Sequence, residues 1–215
     1  MWRTNSRKIH ALRNSLSLSE RQHNILIGSL LGDGCLIPNS GKKDYRLQIE
    51  QNEAHKTYVY WMYEEFKEFV LSEPRYHSRV RSWKFRTISH PDLTAIAQNF
   101  YPNGKKILPA NIQSLVVDPI VLAVWAGDGF TFNTQSFTRA ENEMLQKCLA
   151  ENFSLYSTSL HKDKDRVRLY IKGDSLQRLR SLIENHILPE FTYKLPVPRR
   201  DLVLFDEVIS DRADR

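Results

Sequence analysis

Two aspartates, Asp33 and Asp128, each lie between glycines at the end of an apolar run, in residues 26–34 and 121–129. If each run is a helix, its terminal carboxylate lies at the negative end of the helix dipole, where an anion is disfavoured. The flanking glycines remove side-chain bulk, so two such helices could pack closely and bring both carboxylates to one seam. Because converging carboxylates supply the oxygen ligands that divalent metals prefer, the pattern indicates a metal site. Either aspartate alone could be an ordinary Asp-Gly turn, but the repeat favours a shared site.

The helices that position these aspartates have recognisable starts. Ser19 and Gln22 form a capping-box pattern, which predicts a helix over residues 20–32. Asp118 and Pro119 are a typical N-cap and first-turn pair for the second run. Two similar runs with matched starts predict a chain built from two similar halves.

The paired runs resemble the two central helices of single-chain, two-motif LAGLIDADG homing endonucleases. The positions that match the family motif are Gly28, Asp33 and Gly34 in the first run and Asp128 and Gly129 in the second. Four further segments resemble family landmarks in the expected order, namely residues 47–52, 104–109, 133–138 and 193–196. The resemblance therefore extends from about residue 19 to about residue 196.

The resemblance implies an α+β fold of two αββαββα halves related by a pseudo-twofold axis. The antiparallel sheets would form a DNA-binding saddle, with the motif helices paired at its centre. On this basis we expect a basic N-terminal arm in residues 1–18, the first half in 19–112, the second half in 113–198 and a C-terminal extension in 199–215. The resemblance gives the extension no role.

The function that the resemblance implies is site-specific cleavage of both strands of DNA. The enzyme would hydrolyse phosphodiesters across the minor groove with a divalent metal and leave 3′ overhangs. The expected metal is Mg²⁺, with Mn²⁺ as a substitute and Ca²⁺ as an occupant that does not support cleavage. The expected partner is double-stranded DNA with a long, weakly symmetric target, bound by a monomer without an obligate protein partner.

The resemblance also assigns site residues. Asp33 and Asp128 would hold the metal, with Gly32 and Gly127 beside them as further metal-site residues. Lysines would polarise or position water, with Lys105 as the alternative to Lys106, and glutamines would orient solvent. The residues implied in catalysis are Asp33, Asp128, Lys106, Lys194, Gln51 and Gln135.

Alternation within the predicted strands separates a core face from a second face. In residues 45–51 the core residues are Leu47 and Ile49. Gln51 has the same parity and would also face the core, whereas the resemblance places it near the metals. A bulge or the strand end at this position would reconcile the two. The predicted strands 76–80 and 82–88 carry a cationic strip suited to phosphate contacts. The candidate DNA-binding residues are Lys42, Lys43, Arg46, Gln48, Glu50, Arg79, Arg81, Lys84, Arg86, Arg166, Arg168, Tyr170 and Lys172. A half-solvated sheet would alternate in the same way, so base contact rests on the resemblance.

Further elements follow from periodicity. Apolar residues at helical spacing predict helices over residues 54–71, 91–100, 142–153 and 174–185. Strands are predicted over residues 35–37, 156–161 and 166–172.

The second half is shorter than the first at one place. Gln51 follows Asp33 by eighteen positions, but Gln135 follows Asp128 by only seven. Seven residues cannot form two strands and a turn at about 3.3 Å per residue, so the first hairpin of the second half lacks a strand near residues 125–133. Three explanations are open: a truncated hairpin, a strand supplied from elsewhere, or residues missing from the printed sequence, which we favour.

Composition limits the remaining classes. The formal net charge of +6 favours a polyanionic partner, although a basic, solvated surface has the same composition. No apolar run reaches the length of about 20 residues that a membrane span needs, and the N-terminus lacks a signal-peptide pattern. We therefore expect an intracellular protein of the cytoplasm, nucleoid or an organelle matrix. Cys35 and Cys148 form no C-x-x-C pair, which argues against a disulfide framework or zinc knuckle.

Two other functions remain compatible with the sequence. An RNA maturase on the same scaffold would keep the basic sheets and tolerate loss of the metal ligands. A DNA-binding protein that does not cleave would be compatible with the shortened second half.

Overall fold

The computed structural model of the chain describes residues 7–41, 43–127 and 131–195. The chain divides into two compact units, residues 1–111 and 112–215. In the described ranges, no helix is long and apolar enough to cross a membrane.

Within the described residues, the first unit contains four α-helices and four strands. Its helices are α1 (Arg7–Ser15), α2 (Glu20–Leu31), α3 (Lys56–Glu65) and α4 (Pro91–Phe100), and a short α5 (Ile112–Leu115) begins the second unit. Its strands are β1 (Cys35–Pro38), β2 (Tyr45–Asn52), β3 (Arg75–His77) and β4 (Ser82–Arg86). The strands form one antiparallel sheet in the order β1-β2-β4-β3. From α2 to α4 the order is α-β-β-α-β-β-α, which confirms the fold predicted for this half.

Local capping explains where α2 and α4 begin. The Ser19 hydroxyl accepts from the Gln22 N–H at 3.2 Å, and the Ser19 N–H donates to the Gln22 side chain at 3.0 Å, which completes the predicted capping box. The His90 ring accepts from the Asp92 N–H at 3.2 Å, and Pro91 occupies the first turn of α4.

The core of the first unit lies on one face of its sheet. Leu47 and Ile49 are buried, as their parity predicts, and face side chains from α3 and α4. Residues of α2 are also buried almost throughout, because Ile25, Leu26, Ile27, Leu30 and Leu31 have no exposed surface. An apolar helix buried on all sides needs partners on every face.

The predicted helix over residues 54–71 is wrong in its limits. A 3-10 turn at Glu53–His55 precedes α3, and another at Lys67–Phe69 follows it. Phe66 and Phe69 are both fully buried. Residues three apart lie on the same side of a 3-10 turn, so the tighter turn places both rings in the core.

The predicted strands 76–80 and 82–88 are also wrong in extent. Residues 78–81 form the turn between β3 and β4, and Arg81 has a left-handed φ of 48°. Arg79 and Arg81 therefore lie in a turn and not on a strand.

The second unit has the helices α6 (Pro119–Trp125), α7 (Arg139–Phe153) and α8 (Ser175–Ile183), and it ends with a 3-10 segment at Pro189–Lys194. Its strands are β5 (Thr131–Phe132), β6 (Thr158–Asp163) and β7 (Arg166–Ile171) in the antiparallel order β5-β7-β6. Trp125 and Phe132, with ring centroids 4.2 Å apart, pack in the core beside Leu169.

Several boundaries in this unit differ from prediction, including both ends of α8, which spans Ser175–Ile183 instead of residues 174–185. α7 begins three residues earlier than expected, because Thr138 and Glu141 form a second capping box. β6 begins two residues late, since the Ser157 N–H donates to the Ser175 hydroxyl at 2.9 Å and lies before the strand. Lys172 lies just beyond β7.

The described part of the second sheet has three strands where the first has four. Ala126 and Phe132 form an isolated antiparallel bridge, and the Gly127 N–H donates to the Thr131 carbonyl at 2.9 Å. A truncated hairpin and a strand supplied from elsewhere stay predictions, because residues 128–130 lie outside the described residues. Residues missing from the printed sequence stay a prediction.

Candidate active site

The turn at the end of α2 carries Asp33. The Gly32 N–H donates to the Gly28 carbonyl at 3.3 Å, and the Gly34 N–H donates to the Ser29 carbonyl at 2.8 Å. Asp33 lies between them with an exposed side chain. The helix therefore ends in a turn that folds back on its last residues and presents the carboxylate to solvent.

Gly34 is required by the close approach of its backbone to Ser29. A Cβ atom at position 34 would lie 2.0 Å from Ser29 Oγ and 2.7 Å from the Ser29 carbonyl oxygen. No residue with a side chain fits there without a shift of the turn. The glycine after Asp33 thus has a steric reason.

Lys106 binds this turn from the loop after α4. Its ammonium group donates to the Gly32 carbonyl at 3.0 Å and to the Gly34 carbonyl at 3.2 Å. Burial lowers the pKa of Lys106 from its usual value near 10.5 to about 8, while the nearby Cys35 and Asp33 oppose that shift. Lys105 is exposed. The structure thus brings Lys106, rather than Lys105, to the two carbonyls that flank Asp33.

Gln51 lies on β2 opposite Trp83 and is half-buried. Pairing is regular from Gln48 to Asn52, so no bulge changes its parity. It shares the core-facing side of the strand with Ile49 and lies next to the strand end.

The catalytic residues assigned to the second half are only partly described. Asp128 and Gly129 lie outside the described residues, so a meeting of the two carboxylates stays a prediction. Gly127 is buried in the bridge to β5. The Gln135 amide donates to Asp163 Oδ2 at 3.2 Å, and Lys194 Nζ lies 5.0 Å from the centre of the Phe191 ring.

The outer face of the first sheet carries paired charges. Cross-strand register places Gln48 opposite Arg86 and Glu50 opposite Lys84. Glu50 accepts from Lys84 and from Ser82, each at 2.8 Å, and these hydrogen bonds lower its pKa. The Glu50 carboxylate therefore stays ionised, and its charge is balanced by Lys84.

Arg46 is held differently on the same face. Its Nε is buried with no hydrogen-bond acceptor in the part of the chain that the structure describes. Burial lowers the pKa of Arg46, and the charge of Arg86 lowers it further. Two guanidinium groups that share a partly buried surface favour an anion between them.

The turns contribute the other cations of this half. Arg81 forms an ion pair with Glu53, which also accepts from the Tyr76 hydroxyl at 2.5 Å. Lys43 is exposed in the β1–β2 turn, and Lys42 lies outside the described residues. Arg75, which was not among the residues predicted to bind DNA, lies opposite Lys84. Arg75 begins β3, one residue before the start of the predicted strand.

The second sheet has a smaller outer face. The strand register places Arg166 opposite Asp163, Arg168 opposite His161, and Tyr170 opposite Ser159. His161 stacks on the Tyr170 ring at 4.4 Å and shares a hydrogen bond of 2.9 Å with the Ser159 hydroxyl. His161 was not among the predicted residues, although alternation within residues 158–163 places it on this face once the strand limits are known.

Comparisons with known proteins bear on this geometry. The sequence model of the LAGLIDADG DNA endonuclease family matches residues 23–179. The chain belongs to this family. A cytochrome b mRNA maturase bI2 of Debaryomyces hansenii is 27% identical over 197 residues, covering 83% of this chain and 74% of that protein. The DNA endonuclease I-ChuI of Chlamydomonas applanata is 24% identical over 210 residues, covering 84% and 96%.

A solved structure supports the same fold. The homing endonuclease I-WcaI, bound to its DNA recognition sequence, has a TM-score of 0.80 and 26% identity, and the match covers 89% of this chain and 93% of that one. The mixed fold with antiparallel sheets that the sequence predicted is thereby confirmed.

Proposed function

We propose that this LAGLIDADG protein is a site-specific, double-strand DNA endonuclease of the homing type. It hydrolyses phosphodiesters across the minor groove with a divalent metal and leaves 3′ overhangs on a long, weakly symmetric target, which it binds as a monomer. The observation that carries the proposal is the exposed Asp33 carboxylate at the end of the family helix, in a turn that Lys106 holds through both neighbouring carbonyls. The match to a relative bound to DNA supports the choice of partner.

The residues at this turn fit a divalent cation. The Asp33 carboxylate and the Gly32 carbonyl are hard oxygen donors, as Mg²⁺ prefers. In residues 7–41, 43–127 and 131–195, no three His, Cys, Asp or Glu side chains form a group able to hold a metal. A site of one carboxylate from each half, completed by waters and substrate phosphate, fits this composition. Asp128 with Gly127 is the proposed second contribution, and Mn²⁺ is the proposed substitute.

When bound, Mg²⁺ lowers the pKa of coordinated water and neutralises charge on the phosphate. The chain's own residues prepare this step. Burial lowers the pKa of Lys106 to about 8, which brings the amine closer to the neutral range in which a side chain can exchange a proton with water. Lys106 also fixes the carbonyls on either side of Asp33. We assign Lys194 the matching role in the second half, and Gln51 and Gln135 the orientation of solvent.

The two sheet faces are the proposed DNA surface. Arg46 and Arg86 present adjacent guanidinium groups, of which one has a buried Nε without an acceptor among described residues. Phosphate oxygens would satisfy both groups. Gln48 lies between β1 and β4 on this face and can read a base edge. Arg166, Arg168 and Tyr170 are the corresponding residues of the second sheet.

The test selects cleaved duplexes from a randomised plasmid library with Mg²⁺, and uses Ca²⁺ to measure binding without cleavage. We expect linear product from a recovered target, with both strands cut and 3′ overhangs at the mapped ends. Asp33→Asn should abolish product and retain binding in Ca²⁺. The matched control is Asp165→Asn, which removes an exposed carboxylate in the β6–β7 turn and should leave product unchanged. Binding without product by the unaltered protein would instead support a non-cleaving binder.

A second function is favoured by the Debaryomyces hansenii relative, which is a maturase by name. An RNA maturase would promote splicing of intron-containing transcripts and would tolerate Asp33→Asn. Splicing assays with intron-containing RNA, in parallel with the cleavage assay, separate the two functions. Splicing that survives Asp33→Asn, without DNA cleavage by either protein, would favour the maturase.

A further inference from the structure

The end of helix α1 is fastened to the first unit from two sides. The Arg13 guanidinium donates to both oxygens of the Asp44 carboxylate, each at 3.0 Å. On the other side, the His90 ring lies 3.0 Å from the Arg13 carbonyl and 3.1 Å from the Leu16 carbonyl. The backbone and the side chain of Arg13 are therefore both held, and they are held by different segments of the chain.

The first turn of α4 supplies one of these two anchors. Because His90 Nδ1 accepts from the Asp92 N–H at 3.2 Å, the proton of the neutral ring lies on Nε2, which donates to the carbonyls at the end of α1. The Asp92 carboxylate accepts from the Leu18 N–H at 2.9 Å. The same turn holds the start of β2, since the His90 N–H donates to the Tyr45 carbonyl at 3.1 Å and the Tyr45 N–H donates to the Thr94 hydroxyl at 2.9 Å.

The other anchor, Asp44, closes the β1–β2 hairpin. Its carbonyl accepts from the Asn39 N–H at 2.8 Å, and its carboxylate accepts from the Asn39 amide at 3.5 Å. The Asn39 side-chain oxygen in turn accepts from the Lys43 N–H at 3.2 Å. A continuous row of contacts thus leads from the Arg13 guanidinium through Asp44 and Asn39 to the backbone of Lys43, whose side chain is exposed.

The charge of Asp44 makes its pairing important for binding a polyanion. Asp44 lies in sequence between Lys43 and Arg46, two candidate DNA-binding residues, and an unpaired carboxylate there would repel phosphate oxygens. A guanidinium matches a carboxylate with two parallel hydrogen bonds, which balances the charge and also fixes the direction of the carboxylate. The exposed fractions of the Arg13 and Asp44 side chains are only 22% and 27%, so salt screens this pair less than a fully exposed one.

We propose that Arg13 is a positioning residue for DNA binding, which acts through Asp44 to hold the β1–β2 turn so that the Lys43 ammonium group meets a phosphate of the DNA backbone. The choice of DNA as the partner rests on the proposed function. In this role α1 is a clasp on a DNA-binding hairpin. The contact is to the backbone and therefore does not depend on the target sequence.

The experiment compares Arg13→Ala, Arg13→Lys and Lys43→Ala with the matched control Arg21→Ala. Arg21 forms a similar forked pair with Glu65, at 2.9 and 2.6 Å, which joins α2 to α3. The first measurement is amide hydrogen exchange in the protein without DNA. We expect faster exchange of the Asn39 and Lys43 N–H groups in both Arg13 variants, because lysine keeps the charge but lacks the fork. Exchange of these two groups should be unchanged in Arg21→Ala.

The second measurement is affinity for a mixed-sequence DNA duplex in Ca²⁺ over a range of salt concentrations. Coupled sites typically change each other's affinity about 5- to 150-fold, and we expect a loss of about 5- to 20-fold in Arg13→Ala. The slope of log affinity against log salt should fall by about 1, as it should in Lys43→Ala.

A double-mutant cycle separates positioning from a general loss of stability. Arg13→Ala combined with Lys43→Ala should bind nearly as well as the weaker single variant, because both changes remove the same phosphate contact. Arg21→Ala combined with Lys43→Ala should instead give the sum of the two separate losses, because the Arg21 pair joins other elements.

Three results would overturn the positioning role: additive losses for Arg13 and Lys43, full affinity of Arg13→Lys, or an equal loss in Arg21→Ala and Arg13→Ala. None of them bears on cleavage. Absence of cleavage in Mg²⁺ would refute the nuclease function alone, because hydrogen exchange and duplex affinity are measured without it and still decide whether Arg13 positions Lys43.

Discussion

Replacement of Gly34 by alanine is the most direct perturbation of the Asp33 turn. The new Cβ would lie 2.0 Å from Ser29 Oγ, 2.7 Å from the Ser29 carbonyl oxygen and 2.9 Å from the Ser29 carbonyl carbon. A hydroxyl can rotate away, but the carbonyl belongs to the last full turn of α2 and cannot. The turn must therefore move as a whole.

The expected loss of stability has two parts. Overpacking of a rigid contact destabilises by about 1 to 3 kcal/mol. Movement of the turn also breaks the hydrogen bond from the Gly34 N–H to the Ser29 carbonyl, which contributes about 1 kcal/mol. We expect a total loss of about 2 to 4 kcal/mol, together with loss of cleavage, because Asp33 moves with the turn.

Equilibrium unfolding in urea measures this loss, with Gly41→Ala as the matched control. A Cβ at Gly41 would meet only Asn39 Oδ1, at 3.6 Å, which is an ordinary contact. The control should change stability by less than about 0.5 kcal/mol. Addition of Ser29→Ala to Gly34→Ala removes the hydroxyl contact but not the carbonyl contact, so most of the loss should remain. If Gly34→Ala unfolds at the same urea concentration as Gly41→Ala, the steric explanation of this glycine is wrong.

Three further predictions concern Lys106, Arg86 and Thr138. The folded-state pKa of Lys106, about 8, lies below the unfolded value near 10.5, so the unfolded state holds the proton more tightly between these values. The free energy of unfolding of the unaltered protein, relative to that of Lys106→Met, should then rise by about 1 to 2 kcal/mol from pH 8 to pH 10.5, after allowance for solvent screening. If urea unfolding shows a constant difference between the two proteins across this range, the burial of the amine is contradicted. Arg86→Ala should reduce the dependence of log affinity on log salt by about 1 through loss of a phosphate contact, and an unchanged slope in binding titrations would remove Arg86 from the DNA surface. Thr138→Ala removes the cap of α7 and should lower the stability of the second unit by about 1 kcal/mol in urea unfolding, whereas no change would show that the cap is dispensable.

Helix starts were predictable where a capping side chain and the first turn form a local pattern. Ser19 with Gln22 predicted the start of α2, and Pro91 lies at the predicted start of α4. The start of α7 was equally local, since Thr138 and Glu141 form the same pattern, but the apolar periodicity that suggested residue 142 obscured it. Local hydrogen bonding, where it exists, locates a helix better than periodicity does.

Segments whose form depends on distant contacts were not predictable. The spacing of Phe66 and Phe69 fits one face of an α-helix as well as a 3-10 turn, so it does not show that the helix ends at residue 65 and a 3-10 turn follows. The β3–β4 turn contacts Glu53, which pairs with Arg81 and accepts from Tyr76. The alternation of cations in residues 79–86 suggested strand structure, although the chain reverses at residues 78–81.

The candidate site divides in the same way. Asp33 and the glycines around it could be singled out from sequence, because the repeat marks them twice. The choice between Lys105 and Lys106 required the structure, since adjacent lysines differ only in which one is buried against the turn. The close approach of Gly34 to Ser29 also required the structure, because only the backbone path of the turn shows that a side chain at position 34 would meet Ser29.

The two halves share one design but differ in how strongly each can define its part of the site. The first half offers outward-facing positions from four strands and holds the Asp33 turn through Lys106 and Ser29. In the described part of the second half, β5 contributes two residues, and Val124 takes the place of the serine. A sheet with fewer strands presents fewer side chains to a DNA groove. We therefore expect sequence discrimination to be concentrated in the half-site that contacts the first unit, with the second unit relying more on backbone charge.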